Sequence, residues 1–392
     1  MPYENEILGL SEYKIKEIRK EGMEIVIEAR HAGQACCPHC QGQRLRKKDR
    51  FIRKPRHESW GLRVCRLRLE VHKFQCLTCG RYFNQRLPGI LPRKRSTEPF
   101  RRQVFWQHVE GMCRKTLAIR QCIGTATVER WFQDFLGREM AKRNSEPCPQ
   151  ILGIDEHFFS RRHGYATTLC DLKHHKVFDV VLGRSELSLD DYFSKLQGKD
   201  RVRVVCIDMS GTYRALIRRH FPNAIIVADR FHVIRLINHQ FLATWKTLDP
   251  VGSLNRGLLS LMRRHADKLR PEQQARLNEY FKKHPEVQAV YDFKQKLCRL
   301  LLHKHCTARY CRRLIPIFLD KIDQLMRCGL AALEQLGRTL RSWKNEIVRM
   351  WRFTRNNGIT EGFHNKMEMI SRRAFGFRNF QNYRLRVRVL CA

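Results

Sequence analysis

The order of apolar runs along this chain predicts a multidomain α/β protein, in which a mixed β-sheet with helices follows two small N-terminal modules. Three observations carry that expectation. At 392 residues the chain is too long for one ordinary hydrophobic core, and roughly two to four domains are expected. Two Cys-x-x-Cys pairs lie near the start, in a segment with little apolar sequence of its own. From Ile151 onward come five apolar runs of strand length, three in series and two separated by helical segments.

The first module, residues 1–95, is rich in Cys and Arg. Cys37-Pro38-His39-Cys40 and Cys76-Leu77-Thr78-Cys79 are separated by basic, strand-like sequence, and Gly80 follows the second pair. Thiolates two residues apart can reach one ion from a tight turn, and two such turns complete a closed tetrahedral site. Cys37, Cys40, Cys76 and Cys79 are therefore the expected ligands of a structural Zn²⁺ in a zinc ribbon. Cys36 and Cys65 compete as ligands, and a buried thiol is the alternative reading for any of these positions. The alternation from Val64 to Val71 describes a strand with one apolar and one basic face, suited to phosphate contact.

Residues 96–146 read as a helix-turn-helix module. In the segment 118–131 a small residue, a turn and an apolar residue precede a second helix that Thr125 would cap. Thr127 and Arg130 would project toward a major groove while Val128, Trp131 and Phe132 pack inward. Cys122 departs from the pattern, since glycine is commoner at that turn, and a short helical hairpin serving only a core is the alternative. The run Asn144-Ser145-Glu146-Pro147-Cys148-Pro149 cannot continue the preceding helix and marks a linker.

Residues 147–235 carry the strand-like runs: 151–158, 166–172, 177–182, 202–207 and 224–227, with helical segments near 187–196 and 213–220 between the later ones. A three-stranded meander followed by strand-helix alternation is the ribonuclease H-like topology. Residues 236–352 are rich in Leu, Arg and Lys at helical spacing, broken at Asp249-Pro250, Arg270-Pro271 and His284-Pro285, and read as an all-helical insertion. Residues 353–392 return to the α/β part with a last helix.

Against 38 Asp and Glu stand 76 Lys and Arg, a formal charge of +38 spread along the whole length. Counterion release from phosphate makes nucleic acid the leading partner of such a surface. No run of 18 apolar residues and no basic amphipathic anchor favours a membrane, and no signal-peptide pattern opens the chain. With 16 cysteines and no export signal, a reducing compartment is expected, where paired cysteines bind metal more often than they form disulfides.

Within the strand-like region, acidic residues stand in apolar surroundings. Asp155 lies in the first run, where desolvating an unpaired carboxylate is costly and metal binding accounts for it. Asp208 ends the fourth run, and in a ribonuclease H-like sheet the first and fourth strands are neighbours. Asp229 follows the next run and competes with Asp208 for the second place; helix capping, pairing with Arg230 or support of the metal site is its simpler reading. His232 beside it contacts DNA or packs. Glu361 offers a third acid near a helix start, in the run 357–362, and Phe363, Met367 and Ile370 would form that helix's buried stripe. Alternation turns Glu156 away from Asp155, and Glu368 lies almost two turns beyond Glu361, so both read as solvated or DNA-facing. Three carboxylates around two Mg²⁺ or Mn²⁺ ions, roughly 3.5–4 Å apart, form the arrangement that phosphoryl transfer needs.

On these residues the chain resembles, essentially end to end, the bacterial insertion-sequence transposases of the DDE class, of the ISL3 type. The resemblance is carried by the paired knuckles and by residues 153–156, 207–210, 228–233, 361–366 and 372–380. It implies that Asp155, Asp208 and Glu361 form the DDE triad, that the four knuckle cysteines bind zinc, and that the N-terminal modules recognise DNA. The implied activity is cleavage at the terminal inverted repeats and transfer of the 3′ ends to double-stranded target DNA. His364 departs from the family, which more often has Asn there. Arg372, Arg373 and Arg378 would hold phosphates beside the cut, an exposed basic helix face being the simpler reading. Bringing two ends together calls for a homodimer or larger assembly, working in the bacterial cytoplasm at the nucleoid. Two other classes stay open: a zinc-ribbon and helix-turn-helix regulator with an inert ribonuclease H-like part, and a metal-dependent nuclease without strand transfer.

Overall fold

The computed structural model describes residues 9, 12–144, 146–353 and 358–391. They divide into two compact units, 1–144 and 145–392. The linker's Ser145 and Asn357 of the Glu361 segment lie outside the described residues.

The first unit opens with β1 (Tyr13–Glu21), β2 (Glu24–His31), β3 (Leu45–Arg53), β4 (Arg56–Trp60), β5 (Arg63–Cys76) and β6 (Tyr82–Asn84). They form one sheet, ordered β1-β2-β5-β3, with β4 and β6 also pairing with β5. Period-two alternation explains the central place of β5: Cys65, Leu67, Leu69 and Val71 are buried against Tyr13, Ile25, Ile27 and Ala29. Cys65 is thus a core thiol. The other face is less free for phosphates than its sequence suggests. Arg66 and Arg68 pair with Glu24 and Glu28 of the neighbouring strand, each at 3.2 Å. Three helices follow, α1 (Glu98–Val109), α2 (Arg114–Arg120) and α3 (Thr125–Asn144). Phe100, Val104, Leu117 and Val128 form their shared core.

The second unit is built on β7 (Ile151–Ser160), β8 (Gly164–Asp171), β9 (Lys176–Leu182), β10 (Val204–Ile207) and β11 (Ile225–Ala228). Their order is β11-β10-β7-β8-β9: β7, β8 and β9 form an antiparallel meander, while β10 and β11 run parallel to β7. The helices α4 (Glu186–Lys195) and α5 (Gly211–His220) make the crossovers, and α6 (Arg230–Leu248) leaves the sheet. Then come α7 (Pro250–Ser253), α8 (Arg256–Arg263), α9 (Pro271–Lys283), α10 (Pro285–Leu301), α11 (Ala308–Met326), α12 (Ala331–Ser342) and α13 (Lys344–Arg349). The three proline breaks fall where α7, α9 and α10 each begin on their proline, which lacks only a donor that the first turn cannot use. Last are α14 (Gly358–Arg373) and α15 (Phe380–Leu390).

Helices cover both faces of this sheet. Leu152, Ile154, Val205 and Ile207 face a core that also contains Leu216, Ile237, Leu297, Phe318 and Trp351. The long helical block is therefore not a separate body. Several of its helices complete the sheet's own core, and only the α7–α9 region gathers a satellite cluster around Trp245, Leu261 and Phe281. On the opposite face Cys170, Val180 and Cys206 meet Met367, Ile370, Tyr383 and Val387 of α14 and α15. The buried Asp179 fixes α15 to β9, accepting from Arg384 Nε and Nη2 at 2.7 and 2.6 Å and from Tyr192 at 3.0 Å. Among the described residues no helix is long and apolar enough to cross a membrane.

Candidate metal centres and nucleic-acid contacts

The two Cys-x-x-Cys turns fold alike. In the first, Gln41 N donates to Cys37 O at 2.9 Å and Cys37 N to Gly42 O at 3.0 Å; in the second, Gly80 N donates to Cys76 O and Cys76 N to Arg81 O, both at 2.9 Å. Each turn ends on a left-handed residue, Gln41 at φ 58° and Gly80 at φ 72°, which explains the glycine in one of them. The four thiols come together, every Sγ within 4.8 Å of the others, with Cys37–Cys79 at 3.6 Å and Cys40–Cys76 at 3.5 Å. Four sulfurs about 2.3 Å from one tetrahedral ion would stand close to those spacings, so the cluster suits zinc. Backbone N–H groups of Cys79 and Thr78 pull the Cys76 thiol down, while its neighbour Cys40 is pushed up by the Cys76, Cys79 and Cys37 sulfurs around it. Cys36 is exposed and outside the cluster.

In the helical part of this unit, Arg130 is exposed and its guanidinium donates to Thr127 Oγ1 at 3.3 Å, so the two share one outward face of α3. Val128 is buried against Leu117 of α2, whereas Phe132 stacks on Phe105 of α1, so the packing face serves two helices. Thr125 does not cap the helix but is its first residue; Gly124 precedes it and its carbonyl accepts from Val128 N at 3.2 Å.

Three aspartates line up in the second unit. Ile207 of β10 pairs with Ile154 of β7 on one side and Ala228 of β11 on the other. Asp155, Asp208 and Asp229 each stand one residue beyond that row, where β10 and β11 end and ligands of parallel sheets commonly bind. Burial raises Asp155 to about 7, with Asp229, Glu156 and Glu361 adding repulsion against the backbone N–H of Glu156. Asp208 rises to about 6 through burial, opposed by His232 and reinforced by Glu156 and Asp155. Asp208 Oδ1 is buried with no hydrogen-bond partner. A buried, unpartnered carboxylate oxygen beside other acids is what a divalent cation would relieve, and the all-oxygen donor set fits Mg²⁺ or Mn²⁺. Glu361, in the first turn of α14, is exposed and acts on Asp155 electrostatically.

Sequence alone undervalued several neighbours. Asp229 is 1% exposed and caps α6 through Phe231 N, while His232 Nε2 lies 3.7 Å from its carboxylate and 3.8 Å from Asp155. Glu156 is not simply solvated: it accepts from Arg184 at 2.9 Å and its charge reaches both Asp155 and Asp208. Behind Asp155 runs a polar chain. Tyr383 Oη lies 2.8 Å from His157 Nε2, His157 Nδ1 2.8 Å from Thr168 Oγ1, and His364 Nε2 3.2 Å from that same hydroxyl. His364 Nδ1 faces Asp155 Oδ2 at 3.9 Å, and burial holds the ring down at about 4, with His232 adding to this. Period two from Asp155 could have indicated His157, and the β7–β8 pairing sets Thr168 opposite Asp155; nothing in the sequence signals Tyr383. Arg372, Arg373 and Arg378 are exposed around the end of α14, where Arg372 pairs with Glu368 at 2.6 Å.

Residues 152–387, nearly all of this second unit, match the ISL3-type family of DDE transposases, described as transposase. The chain belongs to that family. Over 249 residues this ISL3-type transposase family member is 27% identical to the transposase for insertion sequence element IS1001 of Bordetella parapertussis. That match covers 61% of this chain and 60% of the relative, so the chain spans less than two thirds of the relative's length. Asp155, Asp208, Glu361 and the three arginines all fall within the family match, whereas the cysteine cluster and α1–α3 precede it.

Proposed function

We propose that this family member cuts DNA at the ends of an insertion sequence and joins the freed 3′ ends to target DNA. The observation that carries the reading is the row of aspartates at the ends of neighbouring strands, with Glu361 close enough to act on Asp155. The strand order agrees with a ribonuclease H-like core, in which Asp155, Asp208 and Glu361 hold two Mg²⁺ or Mn²⁺ ions and Asp229 supports them from the base of α6. Bound there, the ions supply Lewis acidity for in-line displacement at phosphorus. Hydrolysis at an element end breaks the bond from phosphorus to the 3′ oxygen and frees a 3′ hydroxyl. That hydroxyl then attacks a target phosphodiester, with the target's own 3′ oxygen as leaving group. His364 and His232 border the Asp155 carboxylate at 3.9 and 3.8 Å.

Around this core we assign supporting roles. The thiols of Cys37, Cys40, Cys76 and Cys79 hold a structural zinc, Thr127 and Arg130 read the terminal inverted repeat, and Arg372, Arg373 and Arg378 bind phosphates. Two ends require a homodimer or larger assembly on DNA.

The test is an end-cleavage and strand-transfer assay in Mg²⁺ with labelled duplexes carrying the element's ends. Asp155→Asn, Asp208→Asn and Glu361→Gln should each lower both steps by roughly a thousandfold or more while the protein still binds the duplex. Cleavage within tenfold of wild type in all three would defeat the assignment. Cleavage without joined products would leave a nuclease.

A further inference from the structure

Helix α14 ends in a way that its sequence does not explain. Gly376 N donates to Ser371 O at 2.8 Å and Phe375 N to Arg372 O at 3.0 Å, the paired bonds of a Schellman terminator. In that motif the first residue past the cap takes left-handed backbone and is ordinarily glycine. Here it is Phe375, at φ 54°, although glycine stands next to it at φ 86°. A bulky residue there is strained, and the ring gains nothing from the fold, because Phe375 is 94% exposed. The turn is nevertheless held: the next aromatic, Phe377, packs on Tyr383 with ring centroids 5.3 Å apart and carries the Arg386 guanidinium 5.5 Å from its ring. Exposed Arg372, Arg373 and Arg378 flank Phe375 within three residues along the chain, Arg372 being paired with Glu368.

An outward aromatic ring on a fixed turn among guanidinium groups matches one kind of partner, a polyanion that also offers flat apolar faces. Nucleic acid has both, the phosphates for the arginines and the base faces for the ring. We propose that Phe375 inserts into or stacks upon an exposed base step of the bound DNA, the strained turn serving to display it. This rests on the DNA-processing reading above. Helix α14 rises about 18 Å from Glu361 to Arg373, two residues before Phe375, less than one turn of B-DNA. The base concerned therefore lies within about one helical turn of the cut.

The test uses the full chain and end duplexes in which 2-aminopurine replaces single bases across one turn on either side of the cleavage site. Wild type should raise the fluorescence at one or two positions. Phe375→Gly, which relieves the left-handed strain, should melt no lower than wild type, lose that signal and bind about five- to a hundredfold more weakly with an unchanged salt slope. Phe375→Trp should restore both readouts. Arg373→Ala should instead lower the salt slope. The proposal is overturned if no position responds, if Phe375→Gly binds and fluoresces as wild type does, or if Phe375→Gly changes the oligomeric state in free solution. Should Asp155→Asn bind with the full signal yet cleave normally, the catalytic assignment fails and the base contact stands.

Discussion

The two places where this chain gathers ligand atoms are opposites in construction. The four thiols of the first unit approach one another within 4.8 Å, on turns whose own hydrogen bonds aim the sulfurs inward. Among the described residues no group of acids and histidines in the second unit closes to that spacing; His232 stands between Asp155 and Asp229, at 3.8 and 3.7 Å. The difference follows from what holds each site. An ion bound by the four thiols would add folding energy to the first unit, as a closed site does. The aspartates stand on a sheet buried on both faces, which can keep like charges side by side without an ion. A closed thiol cluster suits a structural ion, whereas acids that a scaffold holds apart leave room for an ion that takes part in chemistry.

The largest way to break this contrast is to remove the metal we assign to the thiols. Cys76→Ser, or a strong chelator, should abolish the cooperative melting of residues 1–144 and open them to limited proteolysis, leaving the transition of residues 145–392 in place. Calorimetry resolves the two transitions. A first unit that still melts cooperatively after chelation would mean that its sheet is sufficient and that the cysteines are ordinary thiols.

A smaller effect probes the second unit's dependence on packing alone. Lys294 is buried at the satellite cluster, where Nζ donates to the carbonyl of Met262 and lies 4.9 Å from the Tyr291 ring. Burial lowers it from 10.5 to about 8. Between those pH values the folded chain binds fewer protons than the unfolded one, so this lysine's contribution to stability rises with pH, by at most about 3 kcal/mol. Wild type should therefore gain on Lys294→Met as pH climbs from 8 to 10.5, read from paired denaturant titrations. Parallel pH profiles would mean that the ammonium reaches water.

What was legible in the sequence follows the same division. Apolar runs of strand length and proline breaks exposed the five strands of the second unit and the helix starts at Pro250, Pro271 and Pro285, because those signals are local. Cysteine spacing indicated a metal cluster for the same reason. Contacts between distant segments were not legible. Nothing in residues 236–352 tells that Ile237, Leu297 and Phe318 complete the sheet's core, and nothing near Tyr383 tells that it meets His157. That Arg66 and Arg68 of β5 pair with Glu24 and Glu28 was not legible either, because the glutamates lie across a parallel pairing that spacing cannot reveal. Glu156 misled in another way: alternation correctly separates it from Asp155 within the strand, but charge acts through the short distance around a strand end.

Cys122 gives the smallest and most local test. It turns the chain between α2 and α3 at φ 48°, a left-handed conformation that glycine adopts freely, so the departure from the usual glycine is strained. Its side chain is exposed, with Sγ 3.8 Å from Ile119 O, a weak contact. Cys122→Gly removes about 1–2 kcal/mol of left-handed strain and gives back up to about 1 kcal/mol through the greater freedom of glycine in the unfolded chain. The net expectation is a gain of about 0.5–1 kcal/mol, seen as a rise of a few degrees in the first unit's melting temperature alone. A fall in melting temperature would show that the thiol's contacts outweigh the strain and that this turn is fixed by its side chain.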